Sequence, residues 1–299
     1  MQTVSNIILL VVQLFIPIGL AALAGTISER SGVINLGLEG MMLFGSFGAV
    51  AVSYYTGNAF LGMLASVVIG GLIGAVHVLF CIKFRAHQSV IGVGINMAAL
   101  GLTGVLLKIL WGSEGQSPEV MSIGNWTIPG LNKIPVIGVL FDHQTPYLYL
   151  TLLLIIASWI LMYKTKFGLR LRAIGDNPNA ARTAGIEVNR YRWIALIVSG
   201  ALAGLAGSYL SISNNNAFVY NMTAGRGFMG LAANIFGGWN PMGALGASLL
   251  FSTAQAVRFY LTELNIPDPI VQMLPYVVTI IALLFIGKKA KGPEALGEI

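Results

Sequence analysis

Apolar residues fall into eight blocks of near-spanning length, at about 7–27, 33–55, 59–82, 89–110, 147–163, 193–213, 242–261 and 270–286. A bilayer core needs roughly 20 apolar residues of helix, so each block predicts a membrane-crossing helix. A further stretch, 217–237, departs from the pattern, with Asn221, Thr223, Gly225, Arg226, Gly227 and Asn234 inside it. It is too polar for a helix facing lipid and long enough for a broken one. Irregular backbone at membrane depth survives only where protein or a cavity covers it, so 217–237 predicts a discontinuous segment. Glycines at 32, 37 and 40 allow a second break near the start of the block at 33–55.

The composition agrees with this pattern. The chain is 56% hydrophobic and 9% charged, where a soluble domain carries about a quarter charged residues. That excludes an ordinary soluble domain and predicts an all-α polytopic membrane protein with about 8–9 transmembrane helices, one or two of them discontinuous. Ala22-Leu23-Ala24 resembles a signal-peptidase site, but no Lys or Arg precedes Arg30. The run is also longer than a signal core, so it reads as the first crossing. Cys81 is the one cysteine and forms no internal disulfide.

Charge adds orientation. The net charge of +6 would suggest nucleic acid in a soluble protein; here the cations lie in short loops between apolar runs and report topology instead. Lys164, Lys166, Arg170, Arg172, Arg182, Arg190 and Arg192 face only Asp176 and Glu187 within 164–192, and Lys288, Lys289 and Lys291 follow the last apolar run. The positive-inside rule makes both stretches cytoplasmic. Counting back, 111–146 is external, 83–88 and the turn at Glu29-Arg30 are cytoplasmic, and the N-terminus is outside. The C-terminus ends inside only if 217–237 crosses once, giving about nine crossings of a single transmembrane domain over 1–299. The external stretch holds Pro118, Pro129, Pro135, Pro146 and the sequon Asn125-Trp126-Thr127, and suits a small cap or a docking surface. Small residues four apart, at Gly70/Gly74, Gly200/Gly204 and Ala203/Gly207, predict close helix–helix contact.

Within the basic loop, RLRAIGDNPNAARTAGI (170–186) has the grammar of a short capped helix. Asn177 is a good N-cap, Pro178 suits the first helical position, and Gly185 suits the left-handed position past the end. The span 178–184 would be roughly 10 Å long at 1.5 Å per residue. A helix this short is unstable alone, so it either turns idly between neighbours or docks against another protein.

The stretch GLRLRAIGDNPNAARTAGIEVNRYRWIALIVSGALAGLAGSYL resembles the cytoplasmic coupling region of ABC-importer permeases, in the binding-protein-dependent branch serving simple sugars, nucleosides and branched-chain amino acids. ISERSGVINLGLEGMMLFGSF (27–47) and GRGFMGLAANIFGGWNPMGALGASLLF (225–251) resemble the same branch, in the expected order. SERSGVINLGLEGMM is most similar to the shorter permease of bacterial nucleoside uptake systems. The resemblance implies the ABC-importer permease fold in the cytoplasmic membrane. It implies a second permease beside this one, favouring a heterodimer over a homodimer, and an external binding protein or lipoprotein that delivers substrate. It also implies a cytoplasmic ATPase whose groove receives the coupling helix, with Asp176 and Arg182 in contact, Asn177 and Pro178 capping, and Ala180 and Gly185 setting the shape. ATP and Mg would belong to that ATPase, and the chain itself would need no cofactor. Independently, no G-x-x-x-x-G-K-[ST] loop occurs; Gly287-Lys288-Lys289 lacks the upstream Gly and the Ser/Thr.

Polar residues inside spanning segments usually face a bundle interior. Asn35, Glu39, Asn96 and Asn234 are therefore candidates for the translocation path. Asparagine offers donor and acceptor together and suits a neutral solute, although amides also bond helix to helix. Glu39 could pair with Arg30 or Arg226. His77 reads as a packing residue, and Arg258, beside Gln255, as a snorkelling one. Sugars and branched-chain amino acids remain alternative substrates. An ion-coupled transporter would need buried acids, and only Glu39 qualifies. Three scattered histidines and one cysteine make no metal cluster or nucleophile–base pair, so the chain does not read as an enzyme.

Overall fold

A computed structural model describes residues 2–127, 141, 142, 144–262 and 291–298. Its helices in chain order are α1 (Gln2–Glu29), α2 (Leu38–Thr56), α3 (Ala59–Ile82), α4 (Gln88–Trp111), α5 (Pro146–Lys164), α6 (Lys166–Asp176), α7 (Pro178–Thr183), α8 (Val188–Ser208), α9 (Arg226–Phe236) and α10 (Pro241–Thr262). A π-helical turn, Tyr209–Asn214, continues α8. Five described helices are long and apolar enough to cross a membrane by length and composition. The apolar block at 270–286, Lys288, Lys289 and residues 128–140 of the external stretch lie outside the described residues.

α1 is the central post. From Leu14 to Glu29 every side chain is buried, and it touches α8, α9 and α10 along its length. A second centre joins α2, α3 and α8, where the small-residue pairs of the sequence meet. A Cβ at Gly70 or Gly74 would collide with the carbonyl oxygen of Gly200 or Leu196, and one at Gly207 with that of Met42. Lipid exerts no hydrophobic force between helices, so this backbone contact supplies the packing. Large apolar side chains of α3, α4 and α5, among them Val68, Leu72, Met97, Ile109 and Leu153, point outward.

Two boundaries differ from the sequence reading. The second block begins helix only at Leu38, because residues 30–37 turn back irregularly from the end of α1. The sixth block gains polar residues: α8 starts at Val188, and Arg192, counted above with the loop cations, is fully buried. Its Nε donates to the Ser31 carbonyl at 3.3 Å and its Nη2 to the Glu298 carbonyl at 2.6 Å. The polar first turn projects past the apolar block, and these two carbonyls take Nε and Nη2, while Nη1 is buried with no hydrogen-bond partner among the described residues.

The described part of the stretch after α4 does not stand free. Ser117 N donates to Phe218 O at 2.9 Å, Val120 N to Asn216 O at 2.8 Å and Ile123 N to Ile212 O at 3.1 Å. It lies along the irregular chain that follows α8.

Candidate functional site

The basic end of the molecule carries a built protrusion. Thr165 caps α6, its hydroxyl accepting from Gly168 N at 3.2 Å. Asn177 ends α6 and caps α7, its side chain accepting from Ala180 N at 2.9 Å, and Pro178 occupies the first helical position. Gly185 adopts φ +76°, with open space where a Cβ would stand. Pro178 and Ala181 are buried, and Ala181 packs with Ile174 and Val188. Asp176, Asn177, Ala180, Arg182 and Gly185 are exposed. α7 is therefore anchored on one side and presents a rigid, polar face on the other. Between α6 and α8, Arg170 donates to the Tyr191 hydroxyl at 3.2 Å, a bond that raises its pKa.

The second construction surrounds α9, the short helix within 217–237. Eleven residues make a helix about 16 Å long, and each end is held by the α1–α2 hairpin. At its N-terminus, Glu39 Oε1 accepts from Gly225 N and Oε2 from Gly227 N, both at 2.7 Å. A carboxylate there meets free N–H groups and the positive end of the helix dipole. Glu39 thus takes backbone amides, not Arg30 or Arg226, as hydrogen-bond donors to both its oxygens.

At the other end, Gly238 and Trp239 take left-handed φ angles of +65° and +53°, turning their carbonyls outward. Arg30 donates through Nε to Trp239 O at 2.6 Å and through Nη2 to Gly238 O at 3.1 Å. Burial lowers the Arg30 pKa from its ordinary value. Glu29 Oε2 accepts from the Trp239 indole at 2.5 Å and from Asn234 Nδ2 at 2.7 Å, while Thr26 donates to Asn234 Oδ1 at 2.8 Å.

The path candidates therefore lie around two breaks. Asn234 serves the α9 clamp. Asn96 on α4 bonds the broken start of α2, accepting from Gly40 N at 2.7 Å and donating to Leu36 O at 2.9 Å. Asn35 is fully buried, donates to Ser199 Oγ at 3.0 Å and accepts from Gly37 N at 3.1 Å. Glu29, Arg30 and Trp239 were not singled out as a group from sequence; only the ends of a broken helix would have signalled them. Ser213 Oγ, Asn216 Oδ1, Thr223 Oγ1 and Arg226 Nε are buried along the irregular chain from the π-turn to α9, with no protein partner among the described residues. His77 is buried on α3 against the break, its ring near Gly37.

A tight α-helical bundle with two interrupted segments and a capped helix protruding at its basic end defines a multi-pass membrane permease. The match of residues 7–283 to the model for "branched-chain amino acid transport system / permease component" places this chain in that family, to which it belongs. It is 40% identical over 293 residues, 94% of this chain and 92% of the relative, to the guanosine ABC transporter permease protein NupQ of Bacillus subtilis. It is 38% identical over 312 residues, 99% and 98% of the two chains, to the nucleoside ABC transporter permease protein NupC of Lactococcus lactis. Among solved structures, a chain of PsaBC from Streptococcus pneumoniae in complex with Fab matches with TM-score 0.52 and 13% identity, covering 92% of this chain and 89% of that one. That likeness is one of fold.

Proposed function

We propose that this chain is one of two permease subunits of an ATP-driven importer that passes nucleosides into the cell. The near-full-length likeness to two permeases named for guanosine and nucleosides carries the substrate class. The basic end, with α6, α7 and the tail at 291–298, faces the cytoplasm, and both termini follow the topology derived above. α7 seats in a cytoplasmic ATPase, which holds ATP and Mg. Asp176 and Arg182 touch that ATPase; Asn177, Pro178, Ala180 and Gly185 keep the protrusion stiff enough to push.

Substrate arrives from an external binding protein and passes beside the two breaks. Asn35, Glu39, Asn96 and Asn234 shape the wall by holding broken backbone in place. Ser213, Asn216, Thr223 and Arg226 offer unspent donors and acceptors to the heterocycle and ribose hydroxyls. A longer sister permease covers part of the outward apolar surface as a heterodimer.

Uptake of labelled adenosine and uridine into proteoliposomes tests this reading, with and without the ATPase and binding protein, and with Arg182→Glu in parallel. Uptake that needs the ATPase and is lost in the variant is the expected result. Uptake without the ATPase overturns it in favour of a secondary transporter. ATPase-dependent uptake of a sugar or a branched-chain amino acid, with nucleosides ignored, overturns the substrate class alone.

A further inference from the structure

Two cavities at the basic end share part of their lining. The first, about 750 Å³, opens between α6 and α8 and is lined by Arg170, Arg190, Glu187, Tyr191 and Gly185, with Phe167 and Ile194 at its inner edge. The second, about 380 Å³, is an apolar groove between α5, α8 and the end of α1, lined by Ile27, Ala157, Ser158, Leu161, Ala195 and Val198, again with Phe167 and Ile194. The shared pair makes the two cavities neighbours, the first polar and cationic and the second apolar. Phe167 stacks on Tyr191 at 5.1 Å and stands at the boundary between the two cavities.

Neighbouring side chains indicate the depth of that boundary. Lys164 lies 5.7 Å over the Trp159 ring and Arg172 lies 4.6 Å over the Tyr163 ring. Trp and Tyr paired with cations at helix ends mark the membrane–water interface. On α6, Gly168, Leu171 and Ile174 face inward while Leu169 is 62% exposed, so α6 offers both the bundle and the bilayer an apolar contact. The cationic cavity therefore sits at headgroup level and the groove at acyl-chain level.

We infer that these two neighbouring cavities bind one anionic glycerophospholipid, its phosphate held by Arg170 and Arg190 and one acyl chain lying in the groove lined by Ala157 and Leu161. Basic pockets between transmembrane helices on the cytoplasmic side suit such headgroups. Glu187, 3.8 Å from Arg190, is the one acid in the lining. Both side chains of that pair are about three-quarters exposed, so it holds Arg190 weakly and an incoming phosphate displaces it. A zwitterionic lipid would bring a second positive charge against the two arginines. The lipid lies directly beneath Gly185 and the exit from α7, so it also braces the protrusion. The inference rests on the cytoplasmic placement of this end.

The assembled transporter, extracted from vesicles of equal phosphatidylglycerol and phosphatidylcholine, is examined by native mass spectrometry. One phosphatidylglycerol retained in preference to phosphatidylcholine is expected. R170Q/R190Q should cut that preference about thirtyfold, equivalent to about 2 kcal/mol for two interfacial cations. A157W, which fills the groove without touching the charges, should release the same lipid, and K83Q/R85Q should leave it bound. A photo-crosslinking residue at Leu161 in the complex should join to lipid. Equal retention of both lipids, indifference to R170Q/R190Q and A157W, or a Leu161 adduct to the sister permease or the ATPase overturns the inference. Labelling of Asn179→Cys by an impermeant thiol reagent in whole cells reports the sidedness separately, so a wrong topology is distinguished from a wrong ligand.

Discussion

Glu39 is a buried acid whose hydrogen bonds come from backbone amides, with Arg226 acting on it through charge and not through a hydrogen bond. Each of its oxygens accepts one amide N–H at the start of α9, and hydrogen bonds to a charged group are worth about 1.5–3 kcal/mol. Glu39→Gln keeps the shape but turns an NH2 toward one of those amides, so thermal unfolding in detergent should reveal a loss of about 2 kcal/mol. Uptake should fall with it, while Glu39→Asp, too short to span Gly225 and Gly227, should do no better. Thr223 makes the opposite case. It is fully buried and its hydroxyl has no protein partner among the described residues, so Thr223→Val, which removes an unbonded buried hydroxyl at the same shape, should leave stability unchanged or slightly raised. If that hydroxyl meets nucleoside, the variant should raise the KM for uptake with ATPase turnover intact. The acid in GVINLGLEG was visible in the sequence. Its partners were not, because backbone amides carry no mark in the sequence and become donors only where a helix starts.

Among the elements, α7 was the most legible and α9 the least. The Asn-Pro start and the Gly stop of α7 are local chemistry, written within a few residues, and the structure realises each of them. Asn177→Ala removes the cap, which costs about 1 kcal/mol. Amide exchange in 179–183 should then accelerate about fivefold, and substrate-stimulated ATP hydrolysis should drop more than basal hydrolysis. For α9, composition revealed that 217–237 is broken but not where. Its limits are set by Glu39 at one end and by Arg30 and Glu29 at the other, residues about 190 to 210 positions away in the chain. The burial of Arg192 was hidden for the same reason, since the carbonyls that its Nε and Nη2 meet come from distant turns.

At the scale of the whole molecule, the bundle depends on backbone touching backbone. Gly70→Leu would drive a side chain into the Gly200 carbonyl, and α3 and α8 could not close. No assembled transporter should be recovered on size exclusion, whereas Gly101→Leu, on α4 with nothing within 4 Å of its Cβ position, should assemble normally. The clamp on α9 has a different kind of consequence. A helix bolted at both ends to one hairpin travels with that hairpin as a single rigid body, so any cycle that opens the bundle must find its pliancy elsewhere. The irregular chain between the π-turn and α9, with left-handed φ angles at Asn216, Asn221 and Ala224, is the part that could turn without unwinding a helix. If α7 receives a push from an ATPase, as proposed, that push would be converted into rotation about 216–224, and the stiffness of those few residues would govern how fast the transporter turns over.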